Sequence, residues 1–246
     1  MVSADVVFRE CWNKAAAAII EHAPPYVTYR ANLHVSMPSL GRERDVDRAV
    51  SLRTADDYAI VQDLPRGREQ VGIHGFPFPA NFDALSNFEY TWHVSMHGDL
   101  EVDLVRQNAP LFTPPTPGAQ HVDVIVLRVA NYKASYVGAP DANPIHIHLE
   151  PLPGLIKKRT DIAFHDVYVD PTTYLPTEVR FEGPDHQVLV VDYASVGPYW
   201  LVSHVAVDQT VYGPLRIGSA HVHAEAAFEG YQTSDTPPDP RLAPKP

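Results

Sequence analysis

The stretch Phe164–Phe181, FHDVYVDPTTYLPTEVRF, decides how this chain is read. Side chains alternate between the two sides of a strand. On that pattern His165, Val167 and Val169 share one side, and Asp166, Tyr168 and Asp170 the other. After the turn, Thr177, Val179 and Phe181 alternate with Glu178, Arg180 and Glu182. Pro171 and Pro176 bracket the connection, where a residue without an N–H costs no ladder bond. The spacing predicts a β-hairpin with one apolar face and one charged face, and the apolar face needs cover from elsewhere in the chain.

That cover is scarce. The one long helical pattern is Ala4–His22, where Phe8, Trp12, Ala15 and Ile19 recur at helical spacing and Cys11, Ala16 and Ile20 widen the stripe. Pro24-Pro25 ends it. Everything else with a period reads as strand. Tyr26–Met37 places Val27, Tyr29, Ala31, Leu33, Val35 and Met37 on one face, with Thr28, Arg30, Asn32, His34 and Ser36 on the other. Further strands are predicted at 44–53, 58–64, 93–106, 121–133, 145–150, 188–193, 199–207 and 215–229. The segment 74–92 is rich in Phe, Tyr and Trp; it reads as a loop pinned by its own aromatics, with Asn81 able to cap a short helix. No helix recurs between strands, which excludes a βαβ rhythm.

The fold class is therefore α+β: one N-terminal helix on the concave face of a long antiparallel sheet, strands in sequential order, strongly curved because a sheet of that width curls. Residues 1–232 form one domain, and 233–246, rich in proline and polar residues, form a flexible tail.

The order of elements and the hairpin residues Val167-Tyr168-Val169-Asp170-Pro171 and Leu175-Pro176-Thr177-Glu178-Val179 resemble the LolA-type lipoprotein carriers. Their relatives, the LppX-like carriers and the N-terminal domain of RseB-type sensors, share the likeness. The resemblance implies an unclosed β-barrel (a half-barrel), a helical lid, an apolar cavity for acyl chains, and a periplasmic or secreted location. The long aromatic segment 74–92 and the proline-rich stretch 110–118 depart from that pattern.

Composition narrows function by exclusion. Thirty acidic against nineteen basic residues give a net charge of −11 over 246 residues. Phosphate-tracking nucleic-acid binding is disfavoured, as is an anionic membrane surface. One cysteine, Cys11, excludes an internal disulfide and lies on the helix's apolar stripe, where a thiol is inert. No run is long enough to be a transmembrane helix and no signal-peptide pattern is present in this sequence. No nucleophile elbow, P-loop or dinucleotide fingerprint occurs, and no cofactor is expected.

Two strands repeat one motif, His146-Ile147-His148-Leu149-Glu150 and His221-Val222-His223-Ala224-Glu225. Each sets two imidazoles and a carboxylate on one face, a set of donors suited to zinc. Their opposite faces are the apolar ones, so both sets belong on the solvated side, several strands apart, and no metal is expected.

The leading expectation is non-enzymatic binding or carriage of a lipid, acyl chain or other apolar small molecule between helix and sheet. Its contacts would be Phe8, Trp12, Ile19, Tyr29, Leu33, Val167, Val179, Val222 and Phe228. The alternatives are an envelope protein-interaction or sensor module without a cavity, in which an envelope protein is the partner, and a His/Glu metal-dependent protein.

Overall fold

The computed structural model describes residues 2–18, 22–55, 58–74, 88–94, 100–106, 131–154, 163–183, 186–212 and 219–244. Within them the chain forms one α-helix, α1 (Ala4–Ala16), and thirteen strands. These are β1 (Tyr26–Met37), β2 (Arg42–Arg53), β3 (Tyr58–Asp63), β4 (Arg68–His74), β5 (Phe88–Val94), β6 (Leu100–Arg106) and β7 (Tyr132–Tyr136). They continue with β8 (Ile145–Pro151), β9 (Ala163–Val169), β10 (Pro176–Gly183), β11 (Gln187–Val196), β12 (Tyr199–Tyr212) and β13 (Ser219–Ser234).

The hairpin is β9 and β10. Its turn is fixed by Asp170, whose carboxylate accepts from the backbone N–H of Thr172 at 2.7 Å and of Thr173 at 2.8 Å. Those backbone donors, that of Thr173 first, hold the Asp170 carboxyl below its ordinary pKa. Tyr174 takes a left-handed conformation, φ 60°, which lets the backbone close with the Asp170 N–H donating to Leu175 O at 2.9 Å. The strand before the turn departs from simple alternation. Opposite β10, Arg180 pairs with Asp166 and Phe181 with Phe164, so His165 is an extra residue, a β-bulge. Phe164 and Val167 are buried, while His165 and Asp166 both lie on the outer side. The sequence reading put His165 with Val167 on the apolar side; the bulge turns it outward, because an imidazole with a charged partner is costly to bury.

Eleven strands make one antiparallel sheet in the order β4-β3-β2-β1-β13-β12-β11-β10-β9-β8-β7, and β5 and β6 pair as a separate two-stranded sheet. The sheet is not closed: β4 and β7 are its ends. It is a curved half-barrel with α1 against it. Strict sequential order fails at one place, since β1 pairs with β13 as well as β2. Leu33 lies opposite Ala226 and Val35 opposite Ala224. Alternation in β1 and β13 reports which face is buried but not which neighbour it meets. Strand β4 was not read from the sequence, since only Val71 and Ile73 mark it. Residues 88–92, read as part of an aromatic loop, belong to strand β5, and the single strand expected over 93–106 is divided between β5 and β6. The short helix expected after Asn81 lies outside the described residues, as do all of residues 107–130.

Helix α1 buries Ala4, Val7, Phe8, Cys11 and Ala15. It ends at Ala16, earlier than the predicted His22, and runs into one wider turn in which the His22 N–H donates to Ala17 O at 3.2 Å. Phe8 meets Tyr132 and Phe164 edge-on, with ring centroids 6.5 and 5.8 Å away, and Trp12 meets Phe164 at 5.2 Å. Each such pair contributes roughly 0.5–1.5 kcal/mol beyond area burial. Phe164 also packs on Phe181 at 4.8 Å, so one side chain of the hairpin ties helix, β7 and β10 together. At the hairpin's tip Lys14 sits 5.2 Å from the Tyr174 ring centroid, a cation–π contact. The helix N-terminus also guards the sheet end: Asp5 Oδ1 accepts the Ala134 N–H of β7 at 2.9 Å, satisfying an amide that an edge strand exposes.

Residues 233–244 were read as a flexible tail, and the contacts differ from that reading. Asp239 Oδ1 accepts the Arg241 N–H at 2.8 Å and opens a single 3-10 turn, Pro240–Leu242. Leu242 is fully buried with Tyr26 and Ile60, and Tyr58 packs against them. Arg241 forks onto Glu69 of β4 at 2.5 and 3.1 Å, and Arg53 donates to Leu242 O at 2.6 Å. One buried leucine and two arginines outweigh a polar composition.

Candidate functional site

The inner wall is a single apolar cluster. Phe8, Tyr29, Leu33, Val167, Val179, Val222 and Phe228 are all buried in it, and Trp12, half-buried, packs on it. Of the expected contacts only Ile19 lies outside the described residues. The nine do not form one patch. Phe8 and Trp12 gather round Phe164, whereas Tyr29 meets Phe228 at 6.0 Å and Tyr231 at 5.3 Å on the β1–β13 side. Burial pushes the Tyr29 phenol well above its ordinary pKa, and Tyr231 adds to it. Tyr231 is itself satisfied, donating to Val202 O at 2.5 Å. Cys11 is buried and its thiol is pushed up to about 12 by burial, so it stays protonated and unreactive at neutral pH. A depression beside Leu33, about 190 Å³ and lined also by Asn32, His34, Asp45, Val46, Asp47 and Pro65, is too small for a typical ligand pocket of roughly 300–1,000 Å³.

Two polar atoms break the apolar wall. Tyr193 Oη on β11 and Trp200 Nε1 on β12 are buried with no hydrogen-bond partner among the described residues. Their rings lie parallel, 7° apart in plane, with centroids 6.5 Å from each other. Tyr193 is 6% exposed. Burial pushes its phenol well above the ordinary value, and Cys11 and Asp192 push the same way, so it remains a neutral O–H donor. Leaving a buried donor unpaired costs roughly 1–3 kcal/mol, and an indole N–H can only donate. The two orphans therefore call for an acceptor. Sequence reading missed both. Val188-Leu189-Val190-Val191 is apolar throughout and hides the parity of Tyr193, and Trp200 follows the Gly197-Pro198 turn, where alternation is lost.

The outer face behaves differently. His146 and His148 on β8 face outward while Ile145, Ile147 and Leu149 are buried, and His221, His223 and Glu225 on β13 do the same opposite Val222 and Ala224. Strands β8 and β13 have β9–β12 between them, so the two motifs do not meet. The structure instead brings His146 and His148 to the hairpin. Asp166 Oδ1 accepts from His146 Nε2–H at 2.9 Å and His148 Nδ1–H at 3.3 Å, and Oδ2 accepts from His165 Nδ1–H at 2.6 Å. A carboxylate only accepts, which fixes those three nitrogens as protonated. Burial pushes the Asp166 carboxyl up, yet its three imidazole donors outweigh that and hold it below the ordinary carboxylate value. His146 stacks on Tyr168 at 4.3 Å, and His165 Nε2 lies 3.4 Å from Glu182 Oε2. Arg180 Nε, donating to Glu182 Oε1 at 2.9 Å, fixes that carboxylate. The signal for this cluster was present in the hairpin, but its visibility depended on the bulge. Arg30, outward on β1, forks onto Asp47.

The fold and its two faces define a class: an open antiparallel half-barrel with one helix over an aromatic-lined apolar wall. No described helix is long and apolar enough to cross a membrane. No family model and no curated protein matches the chain. Among solved structures the chain is similar to a LolA superfamily protein from Nitrosomonas europaea (11% identity, 96% of each chain covered, TM-score 0.39). It is also similar to a putative outer membrane lipoprotein-sorting protein domain from Vibrio parahaemolyticus (9% identity, 94% of this chain and 92% of that one, TM-score 0.42). A third is a DUF1329 family protein from Desulfovibrio piger (9% identity, 96% of each chain, TM-score 0.42).

Proposed function

We propose that this protein binds and carries an amphipathic ligand, an acyl chain bearing a hydrogen-bond-accepting group, between α1 and the inner wall of the sheet, with no chemistry performed on it. The observation that carries the proposal is the pair of buried, unpartnered donors, Tyr193 Oη and Trp200 Nε1, set in an otherwise apolar wall. A wholly apolar ligand would leave them unpaired; an ester, carboxylate or amide oxygen would satisfy both. The chain portion of the ligand would lie along Phe8, Trp12, Val167 and Val179, burying apolar area at about 25 cal/mol per Å² before ordering costs. A periplasmic or secreted location belongs to the same proposal and rests on the likeness of the hairpin to the carrier family.

Native mass spectrometry of the gently purified protein, followed by organic extraction, tests the reading directly. The expected result is a co-purifying amphiphile, and displacement of a fluorescent fatty acid with micromolar affinity. Tyr193→Phe and Trp200→Phe should each weaken that probe several-fold. A protein that is empty and also fails to take up the probe overturns the proposal.

A further inference from the structure

We propose that the bulged outer face of β9 is a site for a divalent transition-metal ion, with His148, His165 and Asp166 as ligands and zinc as a fitting occupant. The inference is independent of the interior ligand. One ligand atom from each of the three side chains lies within 4.8 Å of the others, and among the described residues no second group of three His, Cys, Asp or Glu side chains comes as close.

The distances suit a metal. A tetrahedral ion about 2.0–2.1 Å from each ligand holds neighbouring ligand atoms roughly 3.3–3.4 Å apart. His148 Nδ1 and Asp166 Oδ1 are already 3.3 Å apart. His165 Nδ1 and Asp166 Oδ2, at 2.6 Å, are held by a proton, which the ion would displace while the pair opens by less than about 1 Å. The His148 and His165 side chains are each 38% exposed, so they have room to make that adjustment, and the fourth position faces solvent. Imidazole with carboxylate is the donor mixture that zinc, copper and nickel accept.

The surroundings are those of a supported site. His165 Nε2 lies 3.4 Å from Glu182, which Arg180 holds in place, and a carboxylate behind a ligating imidazole fixes its orientation. His146 steadies Asp166 from the other side while its ring is pinned on Tyr168. The bulge is the second observation. In an unbroken strand His165 and Asp166 would point to opposite faces; the extra residue brings both to one face, at the expense of one regular ladder position. Elsewhere on the outer face a His meets an Asp in ordinary register with no bulge, as in His34 with Asp45 and His223 with Asp208.

Calorimetric titration of the chelator-treated full chain with zinc chloride alone tests this. The expected result is one ion per chain with micromolar or tighter affinity. His148→Ala and His165→Ala should each weaken binding at least about tenfold, while the double variant His221→Ala/His223→Ala leaves it unchanged. Both target imidazoles are exposed, so the variants should keep the wild-type circular dichroism spectrum. A check needing no variant is the wild-type NMR spectrum: sub-stoichiometric copper(II) should broaden the imidazole signals of His148 and His165 before those of His221 and His223. Absence of saturable zinc uptake below roughly 1 mM, equal uptake in the His148 and His165 variants, or uniform broadening of all histidines overturns the proposal.

Discussion

On the outer face of the sheet His34 lies opposite Asp45, His148 opposite Asp166, His204 opposite Asp192, and His223 opposite Asp208, each pair at hydrogen-bond distance or close to it. On the inner face Tyr193 and Trp200 hold buried polar atoms with no hydrogen-bond partner among the described residues. Water would have satisfied the outer groups without help, yet they are paired. The inner donors, which water cannot reach, are not. Cross-strand pairs on a wet face contribute only a few tenths of a kcal/mol each, up to about 1. An orphaned buried donor costs more than one such pair returns. This contrast between the two faces is the ground of the proposed interior ligand site.

The comparison can be broken most forcefully at Phe164, which is 1% exposed and touches Phe8, Trp12, Tyr132 and Phe181. Phe164→Ala should cost about 3–5 kcal/mol in urea unfolding, whereas His204→Ala on the outer face should cost under about 1 kcal/mol. Equal losses would mean that the two faces do not divide the stability as described.

Leu242 offers the next largest effect. It is fully buried, but among the described residues its apolar cluster holds just Tyr26, Ile60 and Tyr58 besides. Leu242→Ala should cost about 2 kcal/mol, the low end for a buried leucine, and should speed proteolytic trimming of residues 233–246. A change within error would return that segment to the loose tail read from its composition.

Tyr193→Phe sharpens the contrast by changing sign between two measurements. Removing an unpaired buried hydroxyl should leave the empty protein as stable as before or up to about 1 kcal/mol more so, while lowering affinity for an acceptor-bearing amphiphile several-fold. A loss in both would mean that the hydroxyl already has a partner.

The smallest effect is on pH. The hydrogen bond that His223 donates to Asp208 leads in raising the His223 pKa above its ordinary value, ahead of the desolvation that lowers it. A folded-state pKa raised above the unfolded one adds stability at pH below about 6.5 and loses it as pH rises through the folded value. His223→Ala should therefore flatten the loss of stability between about pH 6.5 and 8 by a few tenths of a kcal/mol, read from urea midpoints across that range.

Most of the architecture could be read from residue patterns because period-two alternation survives in β1, β8, β10 and β13, and one amphipathic helix stands alone at the N-terminus. What could not be read has specific causes. The β1–β13 seam joins strands far apart in sequence, and alternation carries no information about neighbours. Edge strand β4 has too few apolar residues to show a period. The bulge at His165 breaks the alternation that placed Asp166, so the imidazole–carboxylate cluster was assigned to repeated His-x-His-x-Glu motifs on strands that do not meet. Tyr193 and Trp200 could not be found from pattern at all: that a buried donor lacks a partner is a fact about its neighbours. The apolar wall, by contrast, was legible residue by residue, since Phe8, Tyr29, Leu33, Val167, Val179, Val222 and Phe228 are all buried in it.

The pairing of the first strand with the last sets an order of events during synthesis. Strands β1 to β4 can join as they leave the ribosome, since each pairs with its neighbour in sequence, and β7 to β12 can do likewise. The nascent β1 then presents an unpaired edge until residues 219–234 emerge, and only β13 can weld the two halves. Contacts that span almost the whole chain are slow to form, and open edges are sticky while they wait. A ribosome stalled before Ser219 would thus release two half-sheets whose raw edges, on β1 and β12, both await the same missing strand.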